Sequence, residues 1–237
     1  MVGLSNDLNR PKANTLDDVY EHVFASIVDQ RLPPGTKLNE LTLCEIFNLG
    51  RRHVSQVLFR LSYDRLLTLH PNRGAFVAAP DAAEAREIFG ARKAIEPEII
   101  RAVAARTRRA DLAPLRHNVE REAVCRRNGL IREAIHLSGR FHLLLGDLSD
   151  NAILASLVRQ LVARTSLVVS LYENQNSMSC WHADHETLLK HLENGRVTSA
   201  VSLMRSHLGQ IEQNLDLDRR QNATFDLRAA FVPDARR

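Results

Sequence analysis

Three histidines sit where their types and spacing could do chemistry. His142 lies on the row Ile131, Ile135, Ser138, His142, Leu145. His185 starts the row His185, Leu188, Leu189, Leu192, and His207 lies on the row Ala200, Leu203, Met204, His207, Ile211. Each spacing follows one face of a helix, so each imidazole points where its helix points its apolar side chains. Three inward histidines converging in a helical bundle would make a metal site. Neutral imidazole suits Zn²⁺, Ni²⁺ or Cu²⁺, and such a site leaves a position open for water or a carboxylate. The spacing does not show that the three rows meet, and a single histidine on an apolar face is more often a hydrogen-bonded core residue. The chain has ten histidines; His22, His53, His70, His117, His136 and His191 show no partner pattern.

Arg92 shares the peculiarity. It lies on the row Ile88, Arg92, Ile95, Ile99, which aims a guanidinium at the interior. A buried arginine needs an anionic partner, because its unpaired charge costs several kcal/mol. That partner is either internal, such as Glu96 or Glu98, or the carboxylate of a ligand held bidentately. The third reading is an arginine that snorkels to the surface.

A different chemistry is written in "GRRHVSQVLFRL", residues 50–61. Val54, Val57, Leu58 and Leu61 form a buried face. The helix start carries Arg51, Arg52, Ser55 and Gln56, donors suited to phosphates and base edges. Phe59 lies opposite the buried row. A few residues on, "PNRG" offers Asn72, Arg73 and Gly74, the last letting backbone approach a phosphate. From Arg51 to Arg73 five arginines face Asp64 alone.

These residues need elements to position them. Thr15 and Asp18 resemble a capping box for a first helix to about residue 30, stopped by "RLPPGTKL". A short helix over about 40–47, the turn "NLG" and a helix over about 51–64 follow. Apolar runs flanking "PNRG" signal a hairpin. Helix, helix, helix, hairpin is the order of a winged helix-turn-helix, whose second motif helix enters the major groove by its N-terminal end. Beyond residue 79 only helical periodicity is found, with helices expected at about 82–107, 111–127, 130–149, 151–173, 181–194 and 196–215. Pro97 should kink the first. The expected fold is mainly α, an N-terminal winged helix-turn-helix followed by an all-α six-helix bundle, which the family resemblance given below implies to be effector-binding. The expected division is a flexible segment 1–14, a DNA-binding domain 15–79, a helical domain 80–215, for which the family resemblance given below implies effector binding and dimerisation, and a tail 216–237.

Composition sets outer bounds. A net charge of +4 over 237 residues argues weakly for any partner; where the charge clusters matters more. Cys44, Cys125 and Cys180 form no CxxC pair and suit reduced thiols. No apolar run approaches the roughly 18 residues of a membrane helix, and the N-terminus lacks an apolar signal core. A soluble, cytoplasmic protein without membrane contact is expected.

Residues 27–77 resemble the DNA-binding domain of the GntR family of bacterial transcription regulators. "LPPGTKLNELTL", "NLGRRHVSQVLFRL" and "LHPNRGAFV" carry the resemblance, with Pro34, Gly35, Leu38, Glu40, Arg51, Val54, Leu58, Arg73, Gly74 and Val77 in the family pattern. Gly50, Arg52, His53, Ser55 and Gln56 replace the usual Ser, Thr, Pro, Arg and Glu. The resemblance implies that Arg51 contacts DNA; the arginine usual at 55 is absent, which implies a different operator. Residues 85–212 resemble the FCD effector domain of the FadR-like subfamily, through "EIFGARKAIEPEIIRAVAART", "RFHLLLGDLSDNAIL" and "DHETLLKHLENGRVTSAVSLMRSHL". Members commonly hold a metal by an Asp and three His beside an Arg that receives an organic acid. The histidines match His142, His185 and His207, and the arginine matches Arg92. Ser138 stands where the Asp is expected, which implies weaker metal affinity. Either the effector's carboxylate or a water held by Ser138 completes the shell, or the histidines bind effector without metal.

The function expected is a DNA-binding transcription regulator of repressor type. Arg51, Arg52, Ser55, Gln56, Asn72, Arg73 and Gly74 would contact operator DNA. Arg92, Ser138, His142, His185 and His207 would receive a small carboxylate effector, with a divalent zinc or nickel ion on the three histidines. A homodimer would match half-sites one helical turn apart. The competing classes are a metal-dependent helical hydrolase with a basic appendage and a constitutive DNA binder with a structural bundle. For the hydrolase no paired acid or base aligns with the histidines, since Asp184 lies about 100° from His185 around its helix.

Overall fold

Short polar side chains decide where the helices begin. The structure, a computed structural model, describes residues 15–106, 109–173 and 183–218. Thr15 opens α1 (Leu16–Val28) with the expected capping box. Its hydroxyl accepts from the Asp18 N–H at 3.1 Å, and the Asp18 carboxylate accepts from the Thr15 N–H at 2.9 Å. Asn39 caps α2 (Glu40–Phe47) by accepting from the N–H groups of Leu41 and Thr42. Each contact satisfies an amide that the first helical turn leaves unpaired. Asn48, at φ 52°, ends α2 in the left-handed region, and the chain turns into α3 (Arg51–Tyr63).

The wing is larger than the expected hairpin. β2 (Leu67–His70) and β3 (Gly74–Val77) pair antiparallel from Leu67 opposite Val77 to His70 opposite Gly74. A two-residue strand, β1 (Lys37–Leu38), adds to the free edge of β3, with Lys37 opposite Phe76 and Leu38 opposite Ala75. Two residues cannot display a period of two, so the sequence held no signal for β1. At the tip Asn72 and Gly74 take φ of 60° and 92°, left-handed geometry that Asn tolerates and Gly adopts freely.

The chain separates into two compact units between Ala79 and Pro80. The second contains α4 (Ala82–Arg106), a 3₁₀ turn (Arg109–Leu112), α5 (Ala113–Arg127), α6 (Ile131–Leu148), α7 (Ala152–Tyr172), α8 (Ala183–Glu193) and α9 (Val197–Gln213). α4 runs on through Pro97. Beyond these helices, Glu173 and Leu215 form an isolated bridge. The expected segment 1–14, the break near 176 and the tail from 219 lie outside the described residues.

Within the second unit α4 packs on α7 and α9, α6 on α5 and α7, and α8 on α9 and α5. Ile99, Val103, Leu115, Phe141, Leu188 and Met204 belong to its main core; each such side chain contributes about 1.5–3 kcal/mol on burial. Gly146 lets α6 approach α7 closely, since a Cβ there would lie 2.6 Å from Val158 Cγ1 and 3.3 Å from Ala155 Cα.

One expectation is corrected. By length and composition α7 is long and apolar enough to cross a membrane. Arg159, Gln160 and Arg164 break the apolar run along the sequence, but an 18-residue window tolerates them. In the fold, α7 packs against α4 and α6, and Arg164 pairs with Glu84 at 2.5 Å.

Candidate functional site

The three histidine rows meet. α6 contributes His142, α8 His185 and α9 His207, all buried. Each offers a ring nitrogen within 4.8 Å of the other two. His185 also stacks on Phe141, with ring centroids 4.1 Å apart, which fixes the ring plane.

Each histidine has its own carboxylate. His142 Nδ1 lies 2.6 Å from Glu96 Oε2, His185 Nδ1 2.9 Å from Glu122 Oε2, and His207 Nδ1 3.1 Å from Asp184 Oδ2. A carboxylate only accepts, so each Nδ1 donates, and a neutral ring then keeps no proton on Nε2. His185 Nε2 and His207 Nε2 face one another at 3.2 Å. Two bare lone pairs at that distance need a cation between them, either a proton or a metal ion. Burial pushes His207 down to about 4, against the pull of Asp184. It pushes His142 down to about 3, against Glu96. A proton on His142 or His207 is therefore disfavoured at neutral pH, and the donor set fits a transition metal ion held by three imidazole nitrogens.

The charges behind the rings are compensated. Arg92 is 3% exposed and does not snorkel. Its Nε donates to Glu96 Oε1 at 2.5 Å, so the internal partner is Glu96; Glu98 is exposed and pairs with Arg101. Burial would raise Glu96, but Arg92 and the His142 ring outweigh it and hold the carboxyl at about 2. Glu122 is likewise held at about 2, with His185 and Arg126 overcoming burial. Among the described residues Arg92 Nη2 is buried without a hydrogen-bond partner, which leaves a donor for an anionic group. Ser138, half-buried, sits one turn before His142 on α6.

In the first unit, Val54, Val57, Leu58 and Leu61 of α3 are buried as expected. Arg51, Arg52 and Gln56 are exposed and Ser55 is half-buried. Arg51 Nε donates to Glu40 Oε2 at 2.8 Å, so α2 orients it. Asn72, Arg73 and Gly74 are exposed at the wing tip. The Arg73 guanidinium and Lys37 Nζ both lie over the Phe76 ring, 5.5 and 5.9 Å from its centroid, contacts of cation–π type. Phe59, 66% exposed, shares the outer face with Tyr63, 82% exposed.

Residues 15–77 match the family "Bacterial regulatory proteins, gntR family", and residues 87–210 match the FCD domain. The chain belongs to the GntR family of transcription regulators, with an FCD effector-binding domain. The HTH-type transcriptional repressor RspR of Escherichia coli K12 is 22% identical over 208 residues, covering 87% of this chain and 91% of RspR. An HTH-type transcriptional regulator in an unstable DNA locus of Streptomyces ambofaciens is 26% identical over 219 residues, covering 91% and 92%. Two solved structures share the fold. A GntR regulator from Rhodococcus sp. RHA1 has a TM-score of 0.72 at 20% identity, covering 84% of this chain and 95% of that one. E. coli McbR/YncC has a TM-score of 0.76 at 19% identity with the same coverage.

Two residues of this GntR protein's histidine site escaped the sequence reading. Glu122 lies on a buried row with Leu115, Asn118 and Val119, the same signal that drew attention to Arg92. Asp184 points away from His185, so its position on α8 gives no sign of a shared role. That direction takes it to His207 on the next helix.

Proposed function

We propose that this GntR regulator is a repressor whose hold on operator DNA is released by a small organic acid bound beside His142, His185 and His207. Arg92 carries the reading. A buried guanidinium with one edge held by Glu96 and Nη2 unpartnered calls for an acceptor, and a carboxylate supplies one with charge. Ser138 would line the same site. His142, His185 and His207 would hold one divalent ion, zinc or nickel. Bound there, the ion would offer a carboxylate a Lewis-acidic contact, and its charge would relieve the facing Nε2 pair. With Ser138 in place of an acidic ligand, no protein carboxylate competes with the effector from that position.

Arg51, Arg52, Ser55, Gln56, Asn72, Arg73 and Gly74 would make the operator contacts, the arginines binding phosphates and guanine edges. A homodimer would place two such surfaces on half-sites one helical turn apart, in the cytoplasm where the chromosome lies. The acid acts by binding one conformation of the helical unit better than the other. A thermal-shift screen of small organic acids and sugar acids, with and without zinc, tests the reading. A true effector raises the melting temperature by mass action, and Arg92→Ala erases the rise. No acid stabilising the wild type, or one stabilising Arg92→Ala equally, would remove the reading.

A further inference from the structure

We propose that Glu96, Glu122 and Asp184 are positioning residues that turn three core histidines into a metal site made of Nε2 atoms alone. The inference rests on the metal reading above and assigns roles to residues that the reading leaves out.

Free imidazole exchanges its proton between two nitrogens, so a buried histidine can present either one. Here no ring has the choice. Glu96 on α4, Glu122 on α5 and Asp184 on α8 each engage Nδ1 of a histidine on a different helix, at 2.6, 2.9 and 3.1 Å. Holding the proton at Nδ1 leaves Nε2 bare and also orients the ring. Outer carboxylates behind ligand histidines raise ligand basicity as well as fixing the tautomer.

Two of the carboxylates are themselves fixed. Arg92 bonds Glu96 at 2.5 Å and Arg126 bonds Glu122 at 2.5 Å, each one helical turn away on the same helix. The arginine–glutamate–histidine chain thus occurs twice, on α4 and on α5. It keeps each glutamate from swinging inward to become a ligand itself. The negative charge missing at Ser138 is supplied one bond further out, by three carboxylates behind the rings. An all-nitrogen set selects ions that favour imidazole, such as Zn²⁺, over oxygen-seeking Mg²⁺ and Ca²⁺.

The test is zinc affinity of the full-length protein by chelator competition, in wild type, Asp184→Ala, Glu122→Gln and His185→Ala. Histidine ¹⁵N spectra of the zinc-free proteins report the ring tautomers. The wild type is expected to bind one zinc and to show Nδ1–H on all three rings. Asp184→Ala and Glu122→Gln should each weaken zinc binding by about 10- to 100-fold. In Asp184→Ala, the His207 proton should leave Nδ1 while circular dichroism stays unchanged. Asp184 lies at the start of α8 and is only partly buried, so its variant keeps the test open if Glu122→Gln fails to fold. If both variants bind zinc like wild type while His185→Ala does not, the positioning role is wrong and the metal reading survives. A wild type that binds no zinc overturns both.

Discussion

Arg92 and His142 share the carboxylate of Glu96. One oxygen accepts from Arg92 Nε at 2.5 Å and the other from His142 Nδ1 at 2.6 Å. The residue proposed to greet an effector and a histidine proposed to hold a metal are thus joined through one side chain, so occupancy of either site would change the surroundings of the other.

Removing Arg92 takes the charged partner from buried Glu96 and leaves it the His142 Nδ1–H. Arg92→Ala should destabilise the ligand-free protein by about 3–5 kcal/mol, the usual consequence of leaving one member of a buried ion pair. The double variant Arg92→Ala/Glu96→Ala should lose less than the sum of the single losses, because residues in one network are not additive. Urea unfolding of the four proteins checks this; additive losses would mean the pair is not coupled.

Acid should unfold the zinc-free protein early. His142 and His207 are held at about 3 and about 4, below the ordinary 6.5, so below pH 6.5 the unfolded chain takes up protons that the folded chain refuses. Glu96 and Glu122 are held at about 2, below the ordinary 4.5, so their contribution is present above pH 4.5 and fades as pH falls towards 2. Both effects have one sign. Stability should decline from pH 6.5 downward, by about 1.4 kcal/mol per pH unit for each extra proton bound by the unfolded state. Unfolding free energies at pH 7, 6, 5 and 4 test the slope, and a flat profile would contradict it.

Gly146→Ala should loosen the α6–α7 contact. The added methyl would meet Val158 at 2.6 Å and the Ala155 backbone at 3.3 Å, and overpacking of this kind costs about 1–3 kcal/mol. A lowered melting temperature with unchanged helix content is the expected result.

Much of this was legible in the sequence. The winged helix-turn-helix followed from helix caps, breakers and periodicity, all local signals. So did the inward aim of Arg92, His142, His185 and His207, because a helical row reports which way a side chain points. What it does not report is what the side chain meets. Asp184 reaches His207 across two helices because α8 and α9 pack side by side, a tertiary fact. Arg51 is tied to Glu40 for the same reason, through the angle between α2 and α3.

Arg51→Ala should weaken DNA binding and its salt dependence together. Loss of one phosphate contact lowers the slope of log K against log salt by about 0.9. Fluorescence anisotropy on a random-sequence duplex at several salt concentrations measures it without knowledge of the operator. An unchanged slope would remove Arg51 from the contact surface.

The central claim is that a ligand at the Arg92–histidine site governs DNA affinity. Its most direct test is the affinity of zinc-loaded full-length protein for a duplex selected from a random pool, measured with and without the acid that best stabilises the protein. The account predicts a loss of affinity of about 5- to 150-fold in wild type, the range of typical allosteric coupling, and none in Arg92→Ala. Equal affinity with and without the acid, at concentrations that saturate the thermal shift, would contradict it.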